Sequence, residues 1–382
     1  MQSTRKPTME LGIWLPMYGG WLRSLDQPTG PDIASCLAIA QQSEALGFDF
    51  LYASENLLNC IHGPGEAVAE AWSLLTAIAA TTSKVGLVGA IKPGFRSPFL
   101  VARMVDTLRQ IAGRPVAINI VCGWWREEFD LSGVPWLDHT GRYERAESFL
   151  RSLHRVYQPP RPAANQVSDG TATSARLHAP VNYGLDADAL PQIWISGHSE
   201  DALRMSGEWA NCLFLNGMTD AALKRHVAAA RQSAMRWGRE VSVGINAYVI
   251  ATETRAQAEA RYREVITQRN TESIEYFRDV MLNSGSVAWE GLSDEQLVDS
   301  NAGFEARLIG SFEDVRNRLR ELRGIGVEKV VFQFDDPMRD AGPFMKNVIR
   351  PLREEFAAEA ADELEHDAAP VGAGRSQPAR AY

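Results

Sequence analysis

The sequence predicts an α/β protein that forms a closed (β/α)8 barrel, a TIM barrel, with insertions. Eight apolar, strand-like runs alternate with helical segments along the 382 residues. No Gly-x-Gly-x-x-Gly turn follows the first strand, although open dinucleotide-binding sheets carry one there. Because each strand is joined to its sequential neighbour through a helix, we expect right-handed crossovers and a closed parallel sheet.

The strands and helices follow from the hydrophobic periodicity. Strands are predicted at residues 11–15, 48–53, 85–89, 116–121, 192–196, 212–216, 241–251 and 329–334. Helices are predicted at residues 32–46, 67–81, 98–112, 142–157, 220–237, 311–324 and 342–355, with a further helix that starts at Ser199. Pro98 suits the first turn of its helix, and Ser311 is a predicted N-cap.

Two connections are too long for a minimal barrel. Residues 158–190 are rich in Pro, Ala, Ser and Thr, and residues 252–310 contain helix-forming sequence at 255–283. Long loops in compact domains are commonly functional, so we expect residues 284–301 to form a mobile lid. The barrel domain is predicted to span residues 1–356, and the Ala, Pro and Gly bias of residues 357–382 predicts a disordered tail.

Composition excludes several functions. The net charge of −9 argues against nucleic acid as a partner, since binding to phosphate backbones requires clustered Lys and Arg. No run approaches the ~20 apolar residues of a membrane span, and the polar N-terminus lacks a secretory signal, which predicts a cytoplasmic protein. The four cysteines are scattered, so neither a disulfide framework nor a metal site is predicted.

Residues 117–129 carry the strongest functional pattern. A buried strand containing Asn119 runs through Gly123 directly into aromatic and acidic residues, among them Trp124 and Glu128. Function collects at the carboxyl ends of strands in α/β folds, and Gly123 permits a sharp turn there. On this segment alone, an active-site rim and ordinary packing above a solvated helix start are equally supported.

Three segments resemble the bacterial luciferase-like flavin monooxygenases. These are GWWREEFDLSGVPWLDHTGRYERAESFL at residues 123–150, ISGHSEDA at 195–202 and LIGSFEDVRNRL at 308–319. They most resemble the dimethylsulfone monooxygenases and are also similar to alkanesulfonate and pyrimidine ring-opening monooxygenases. The resemblance implies a (β/α)8 barrel that uses reduced FMN (FMNH2) and O2. It also implies a separate NAD(P)H:flavin reductase as partner and a homodimer or homotetramer.

The resemblance also implies which residues contact FMN: Glu55, Asn56, Asn119, Glu128, Arg142, Tyr143 and Ser199. Asn119 offers a donor and an acceptor to the flavin ring edge, and Arg142 offers a charged fork to phosphate. Ser199 adds a hydroxyl at a helix N-terminus. Two structural alternatives remain, because Arg142 could pair with Glu144 or Glu147 on its helix and Ser199 could be only an N-cap.

The implied catalytic residues are Asn119, which positions the flavin and its oxygen adduct, and Tyr143 and His198 for proton transfer. His198 could also add positive charge beside the phosphate. Trp14, Tyr18, Trp21 and Trp124 are candidates for the wall around a small apolar substrate, with plain packing as the alternative. His62 and His139 are expected to be structural or solvated.

The implied reaction is oxidative cleavage of a carbon–heteroatom bond in a sulfone- or sulfonate-type substrate through a flavin peroxide. Asp335 and Asp336 depart from the sulfone and sulfonate enzymes and resemble the ring-opening enzyme, which leaves ring opening of a cyclic amide or another heterocycle as an alternative. Two carboxylates at a pocket would repel a sulfonate. They could equally cap the next helix or pair with Arg339. A deazaflavin-dependent dehydrogenase and a non-enzymatic flavin-binding protein are further alternatives.

Overall fold

A parallel barrel forms the centre of the molecule. The computed structural model describes residues 9–158, 184–185, 187–282, 284, 289 and 291–368. Its strands are β1 Glu10–Trp14, β2 Phe50–Ala53, β3 Gly86–Ile91, β4 Val116–Val121, β5 Gln192–Ser196, β6 Cys212–Leu215, β7 Ser242–Thr252, β8 Leu308–Ser311 and β9 Lys329–Phe334. All pairings between them are parallel. Strands β1 to β7 pair in order, and β9 joins β7 to β1, which closes the predicted barrel.

Helices surround the barrel between successive strands. They are α1 Ile33–Leu46, α2 Ala71–Thr81, α3 Pro98–Ala112, α4 Arg126–Leu131, α5 His139–Tyr157, α6 Glu200–Trp209, α7 Asp220–Met235, α8 Arg255–Thr267, α9 Thr271–Leu282, α10 Asp294–Leu297, α11 Phe312–Ile325, α12 Pro337–Phe344 and α13 Arg350–Ala368, with a π-helical turn at Met345–Ile349. Ser199 and Ser311 are the N-caps of α6 and α11, as predicted. None of the helices among the described residues is long and apolar enough to cross a membrane.

Several predicted boundaries were wrong by a few residues, and each error has a local cause. Helix α2 begins at Ala71 because Glu70 accepts the hydrogen bonds of its first turn, and α5 begins earlier than predicted because Asp138 is its N-cap. The last helical segment begins at Pro337 rather than at residue 342, since Asp336 caps it and proline suits its first turn.

Strand β8 was not predicted, because its residues were assigned to the long connection and to a helix cap. Strand β7 continues beyond the barrel rim, and its last residues Val249 to Thr252 pair with Leu308 to Ser311. The extra strand therefore supplies backbone partners to a strand end that would otherwise be an open edge.

The connection after β7 is anchored beside the carboxyl ends of the strands. An antiparallel bridge joins Leu22 to Asp299, and Arg23 donates hydrogen bonds to the carbonyl oxygens of Leu297 and Cys60. These contacts anchor one end of the expected lid. Movement of residues 284–301 stays a prediction, and residues 285–288 and 290 of this segment lie outside the described residues. The insertion at 158–190 lies mostly outside the described residues. So do residues 369–382 of the expected tail, whereas α13 continues past residue 356 to Ala368.

Candidate active site

A cavity opens where the strands β2 to β6 end. The space within the cavity, including open solvent at its mouth, is about 1130 Å³. Residues from the strand ends line its interior, among them Ser54, Lys92, Cys122 and Ser196. The connection after β7 contributes further lining residues. The position agrees with the rule that the active sites of (β/α)8 barrels lie at the carboxyl ends of the strands.

Aromatic rings form much of the cavity wall. Trp14, Tyr18, Trp21 and Trp124, the candidates for a substrate wall, all line it, and their contact with a substrate stays a prediction. Two rings from the connection after β7 complete the wall, with ring centres 6.0 Å (Phe277) and 5.4 Å (Trp289) from that of Trp124. These rings exclude water and present apolar faces to a bound molecule.

One side of the cavity, which we call the paired side, consists of Glu55, Asn56 and Lys92 at the cavity surface and of Glu128 behind Lys92. Lys92 is buried and forms an ion pair with Glu128 while donating a hydrogen bond to Asn56 Oδ1. Glu55 is buried against Arg96, with which it forms an ion pair, and accepts the backbone N–H of Lys92 at 2.5 Å. Each charge on this side therefore has an opposite charge beside it.

The opposite side, which we call the cationic side, consists of Arg142, Tyr143, His198 and Ser199. The Arg142 guanidinium donates to the carbonyl oxygens of Leu137 at 2.9 Å and Ser284 at 3.2 Å. Its Nε is buried without a hydrogen-bond partner, and the guanidinium forms no ion pair with a carboxylate among the described residues. The Arg142 charge on this side therefore has no ion-pair partner among the described residues, and the Asp138 carboxylate acts on it only through longer-range electrostatics.

Hydroxyl groups accompany that charge. Ser199 Oγ donates to the Tyr143 hydroxyl at 3.0 Å and accepts the Ala202 N–H as the N-cap of α6. Burial raises the pKa of Tyr143, so its hydroxyl stays protonated at neutral pH. Gly197 permits the close approach of these groups, since a Cβ there would lie 2.8 Å from the Tyr143 hydroxyl. A cation, two hydroxyls and a helix N-terminus together can hold an anion.

Comparison with known proteins identifies the family and supports the fold. The model of the luciferase-like monooxygenase family matches residues 9–329. The chain belongs to the luciferase-like monooxygenase family. It is 29% identical over 358 residues to the FMNH2-dependent dimethylsulfone monooxygenase of Pseudomonas putida, an alignment that covers 91% of this chain and 96% of the relative. The protein of the same name from Pseudomonas fluorescens (strain Pf0-1) is 30% identical over 362 residues, covering 92% and 96%.

A solved structure supports the same fold. The long-chain alkane monooxygenase superposes with a TM-score of 0.72 at 15% identity, over 91% of this chain and 92% of that one. At this identity the likeness shows the barrel alone. The assignment of this monooxygenase to its family rests on the sequence matches.

Five of the seven residues predicted to contact FMN line the cavity, and the other two are buried behind its lining. Glu55, Asn56, Arg142, Tyr143 and Ser199 line the cavity of this monooxygenase. Glu128 does not reach the cavity surface, because it lies fully buried behind Lys92 and accepts the Leu57 N–H at 2.6 Å. Asn119 is also fully buried and donates to the Tyr52 hydroxyl at 2.6 Å and to Ser196 Oγ at 2.8 Å. Asn119 can therefore act on a ligand only through side chains that line the cavity.

His198 lines the cavity, but the positive charge expected of it is wrong. Its Nε2 accepts the Asn216 N–H at 2.9 Å, which places the ring proton on Nδ1. Burial and the neighbouring His226 lower the pKa of His198 to about 4, so the ring is neutral at pH 7. His139 also lines the cavity and packs against Tyr143, with 4.9 Å between ring centres, although the sequence indicated only a structural or solvated residue.

Asp335 and Asp336 lie outside the cavity lining, and their structural alternative is confirmed. Asp336 is the N-cap of α12, and Asp335 accepts hydrogen bonds from Gln27 at 2.9 Å and Arg261 at 2.8 Å. Arg339 contacts Asp335 at 3.4 Å, as that alternative expected. The predicted repulsion of a sulfonate by these carboxylates therefore has no basis in the cavity.

Lys92 is a site residue that the sequence analysis missed, as are Ser54 and Ser196 at neighbouring strand ends. Lys92 follows the apolar strand β3 directly and is 1% exposed, yet it lines the cavity. The available signal was a lysine at the carboxyl end of a buried parallel strand, where a charged residue needs a partner or a function.

Proposed function

We propose that this monooxygenase binds reduced FMN with its phosphate on the cationic side and uses O2 to cleave a carbon–heteroatom bond in a small sulfone-type substrate. The observation that carries the proposal is Arg142, a largely buried guanidinium that lines the cavity and forms no ion pair with a carboxylate in the described chain. A buried cation is stabilised by an anion, and a phosphate suits a guanidinium fork.

The other residues of the cationic side fit the same ligand. Tyr143 and Ser199 offer hydroxyls, and the N-terminus of α6 adds the positive end of a helix dipole. Neutral His198 adds a ring without repelling or attracting the phosphate. The groups present thus match a phosphate monoester in charge and in hydrogen-bonding capacity.

The paired side suits the uncharged part of the cofactor and the substrate. Its charges cancel locally, so it presents hydrogen-bonding groups without a strong net field. When bound, reduced FMN supplies the activation of O2. The residues that line the cavity would orient the flavin and the substrate, and the aromatic wall would exclude water. Asn119 would hold the side chains of Ser196 and Tyr52 in place behind them.

The substrate class follows from the relatives and from the cavity. The curated relatives are dimethylsulfone monooxygenases by name, and the aromatic wall here suits a small molecule with apolar groups. The argument for ring opening rested on Asp335 and Asp336, which lie away from the cavity. A sulfone-type reaction is therefore the better-supported proposal.

A separate NAD(P)H:flavin reductase would supply the reduced FMN. The sequence carries no Gly-x-Gly-x-x-Gly fingerprint after its first strand for a nicotinamide cofactor, and FMNH2 dependence of the relatives indicates that reduced flavin enters from outside. A homodimer or homotetramer remains the expected assembly, and sedimentation velocity would measure it.

The proposal is tested by two measurements on the wild-type protein. Anaerobic titration should show that reduced FMN binds at least about tenfold more tightly than reduced riboflavin, which lacks the phosphate. In the second measurement, a flavin reductase supplies FMNH2 to the protein in the presence of O2 and dimethyl sulfone. An oxidised sulfur product should then form, and its formation should depend on O2. Equal affinity for the two flavins, or flavin oxidation without product from any sulfone, sulfonate or cyclic amide, would overturn it.

A further inference from the structure

Two hydroxyl groups meet at the cavity wall. Tyr18 and Ser54 both line the cavity and are buried, and their oxygens lie 2.8 Å apart, close enough for one hydrogen bond in either direction. Each oxygen also accepts a hydrogen bond from nitrogen. Asn56 Nδ2 donates to the Tyr18 hydroxyl at 2.5 Å, and Trp14 Nε1 donates to Ser54 Oγ at 3.2 Å.

The orientation of Asn56 is fixed by its other neighbour. Lys92 Nζ contacts Asn56 Oδ1, and an ammonium group can only donate hydrogen bonds. The amide oxygen of Asn56 must therefore face Lys92, and its NH2 must face Tyr18. The ion pair with Glu128 holds Lys92 in this position. The usual ambiguity between amide oxygen and nitrogen is absent here.

Counting protons shows that one donor is left over. Tyr18 and Ser54 carry two hydroxyl protons, and the bond between their oxygens uses only one. The Asn56 and Trp14 nitrogens are donors and cannot accept the other. In the described chain neither hydroxyl donates to any further acceptor. One hydroxyl proton therefore remains available to a molecule in the cavity, whichever way the central bond points.

The network also strengthens this donor. Lys92 polarises the Asn56 amide, which in turn donates to Tyr18, and chains of hydrogen bonds aligned in this way reinforce one another in a buried setting. Burial raises the pKa of Tyr18 well above its ordinary value, so the phenol keeps its proton. The Tyr18–Ser54 pair is therefore uncharged and can donate a hydrogen bond.

We propose that the Tyr18–Ser54 hydroxyl pair donates a hydrogen bond to an oxygen of the substrate and so selects molecules that carry a sulfonyl or carbonyl oxygen. This inference rests on the proposed function for the identity of that molecule as substrate. A buried donor without a partner is unfavourable, so an acceptor oxygen at this position gains binding energy that an oxygen-free analogue of similar shape does not.

The test compares dimethyl sulfone with dimethyl sulfide, which has the same methyl groups and no sulfonyl oxygen. Ligand-detected NMR on the full-length protein without flavin would give both affinities for wild type, Tyr18→Phe, Ser54→Ala and the double variant. Because either hydroxyl alone keeps a proton to donate, each single variant should bind the sulfone within about threefold of wild type. The double variant should lose roughly tenfold. Sulfide affinity should stay constant throughout.

Tyr157→Phe is the matched control, since Tyr157 is buried and donates to the Ala102 carbonyl away from the cavity. It should leave both affinities unchanged. Infrared spectroscopy of bound dimethyl sulfone gives a second readout on wild type, where the sulfonyl stretch should lie below its frequency in an aprotic solvent. This measurement keeps the inference testable even if the double variant does not fold.

The inference is overturned if the double variant binds the sulfone as wild type does, if one single variant alone loses the whole effect, or if the sulfonyl stretch is unshifted. Absence of sulfone binding to wild type would overturn it as well. These outcomes are independent of flavin chemistry. A sulfone preference without FMNH2-dependent turnover would leave the inference standing and remove the proposed function, and turnover without the preference would do the reverse.

Discussion

The two sides of the cavity are both buried and polar, yet they compensate charge in different ways. On the paired side, Lys92 has Glu128 and Glu55 has Arg96, so every charge is balanced within the protein. On the cationic side, Arg142 contacts two carbonyl oxygens and the ring of Trp136, 4.3 Å from its guanidinium carbon, and forms no ion pair within the described residues. On the paired side the charges are matched within the protein, whereas on the cationic side we propose that an anion from outside matches the charge.

Because the two sides compensate charge differently, variants on one side should mainly change stability and variants on the other should mainly change ligand binding. Removing one member of a buried ion pair leaves an unpaired charge, so changes on the paired side should first affect folding. Removing a cation that has no ion-pair partner relieves an unfavourable charge in the free protein, so changes on the cationic side should first affect ligand affinity. Variants on the two sides should therefore give distinct results.

The largest expected effect is on the paired side. Lys92→Met leaves Glu128 buried without its counter-charge and should lower the free energy of unfolding by about 3–5 kcal/mol. The double variant Lys92→Met/Glu128→Gln removes both charges and should recover most of this loss. Urea denaturation monitored by tryptophan fluorescence measures both. The exposed Lys84→Met is the control and should behave as wild type. A double variant as unstable as the single one would contradict the pairing.

The next effect is on the cationic side. Arg142→Gln removes the charge that we assign to the phosphate and should weaken FMN binding by roughly 10- to 100-fold, since hydrogen bonds to charged groups contribute about 1.5–3 kcal/mol. Riboflavin affinity should not change, because riboflavin has no phosphate. Anaerobic equilibrium titration of both flavins checks this. Arg151→Gln, which changes an exposed arginine of the same helix paired with Glu147, should leave FMN affinity unaltered. Equal losses for FMN and riboflavin would assign Arg142 a structural role.

A smaller effect is expected from His198. Its pKa is about 4 in the folded protein, below the ~6.5 of a free imidazole, so the unfolded chain binds the proton more tightly. Wild type should therefore lose stability as pH falls from about 6.5 through 4, by about 1–2 kcal/mol at pH 5 once partial solvent access is allowed for.

His198→Gln retains an acceptor for the Asn216 N–H but cannot take up a proton. The stability difference between wild type and this variant should consequently change over the same pH range, as measured by urea denaturation at several pH values. Parallel curves would show that the pKa of His198 is the same in the folded protein and in the unfolded chain, and therefore that burial and the neighbouring His226 do not lower it.

Local patterns explain which parts of the structure the sequence could predict. The positions of the eight barrel strands and the caps at Ser199 and Ser311 follow from local periodicity and from residues near helix starts. These features depend on neighbours in the chain. The cavity residues Glu55 and Arg142 were implied by the resemblance to the flavin monooxygenases, and their places near a strand end and a helix start agree with it. The barrel could be inferred because its repeat is local and its closure follows from topology rules.

Long-range pairing could not be inferred in the same way. Lys92 and Glu128 are 36 residues apart, and their contact depends on how β3 and β4 align in the barrel. The full burial of Asn119 behind Tyr52 and Ser196 likewise depends on three strands at once. Sequence spacing identifies a polar residue near a strand end, but packing decides whether it lines the cavity or supports a residue that does.

Asp335 shows the same limit and provides the smallest expected effect. Its carboxylate lies near the carboxyl end of β9 but contacts Gln27, Arg261 and Arg339 instead of the cavity. Asp335→Asn should cost about 0.5–1 kcal/mol of stability, as partly exposed ion pairs do. The ratio of kcat/KM for a sulfone to that for a sulfonate should change by less than about twofold, since the substituted charge is screened and outside the site. Competition between the two substrates measures that ratio. A shift of about tenfold towards the sulfonate would mean that the Asp335 carboxylate repels anionic substrates. Its charge would then influence binding in the cavity, as the charges on the two sides do.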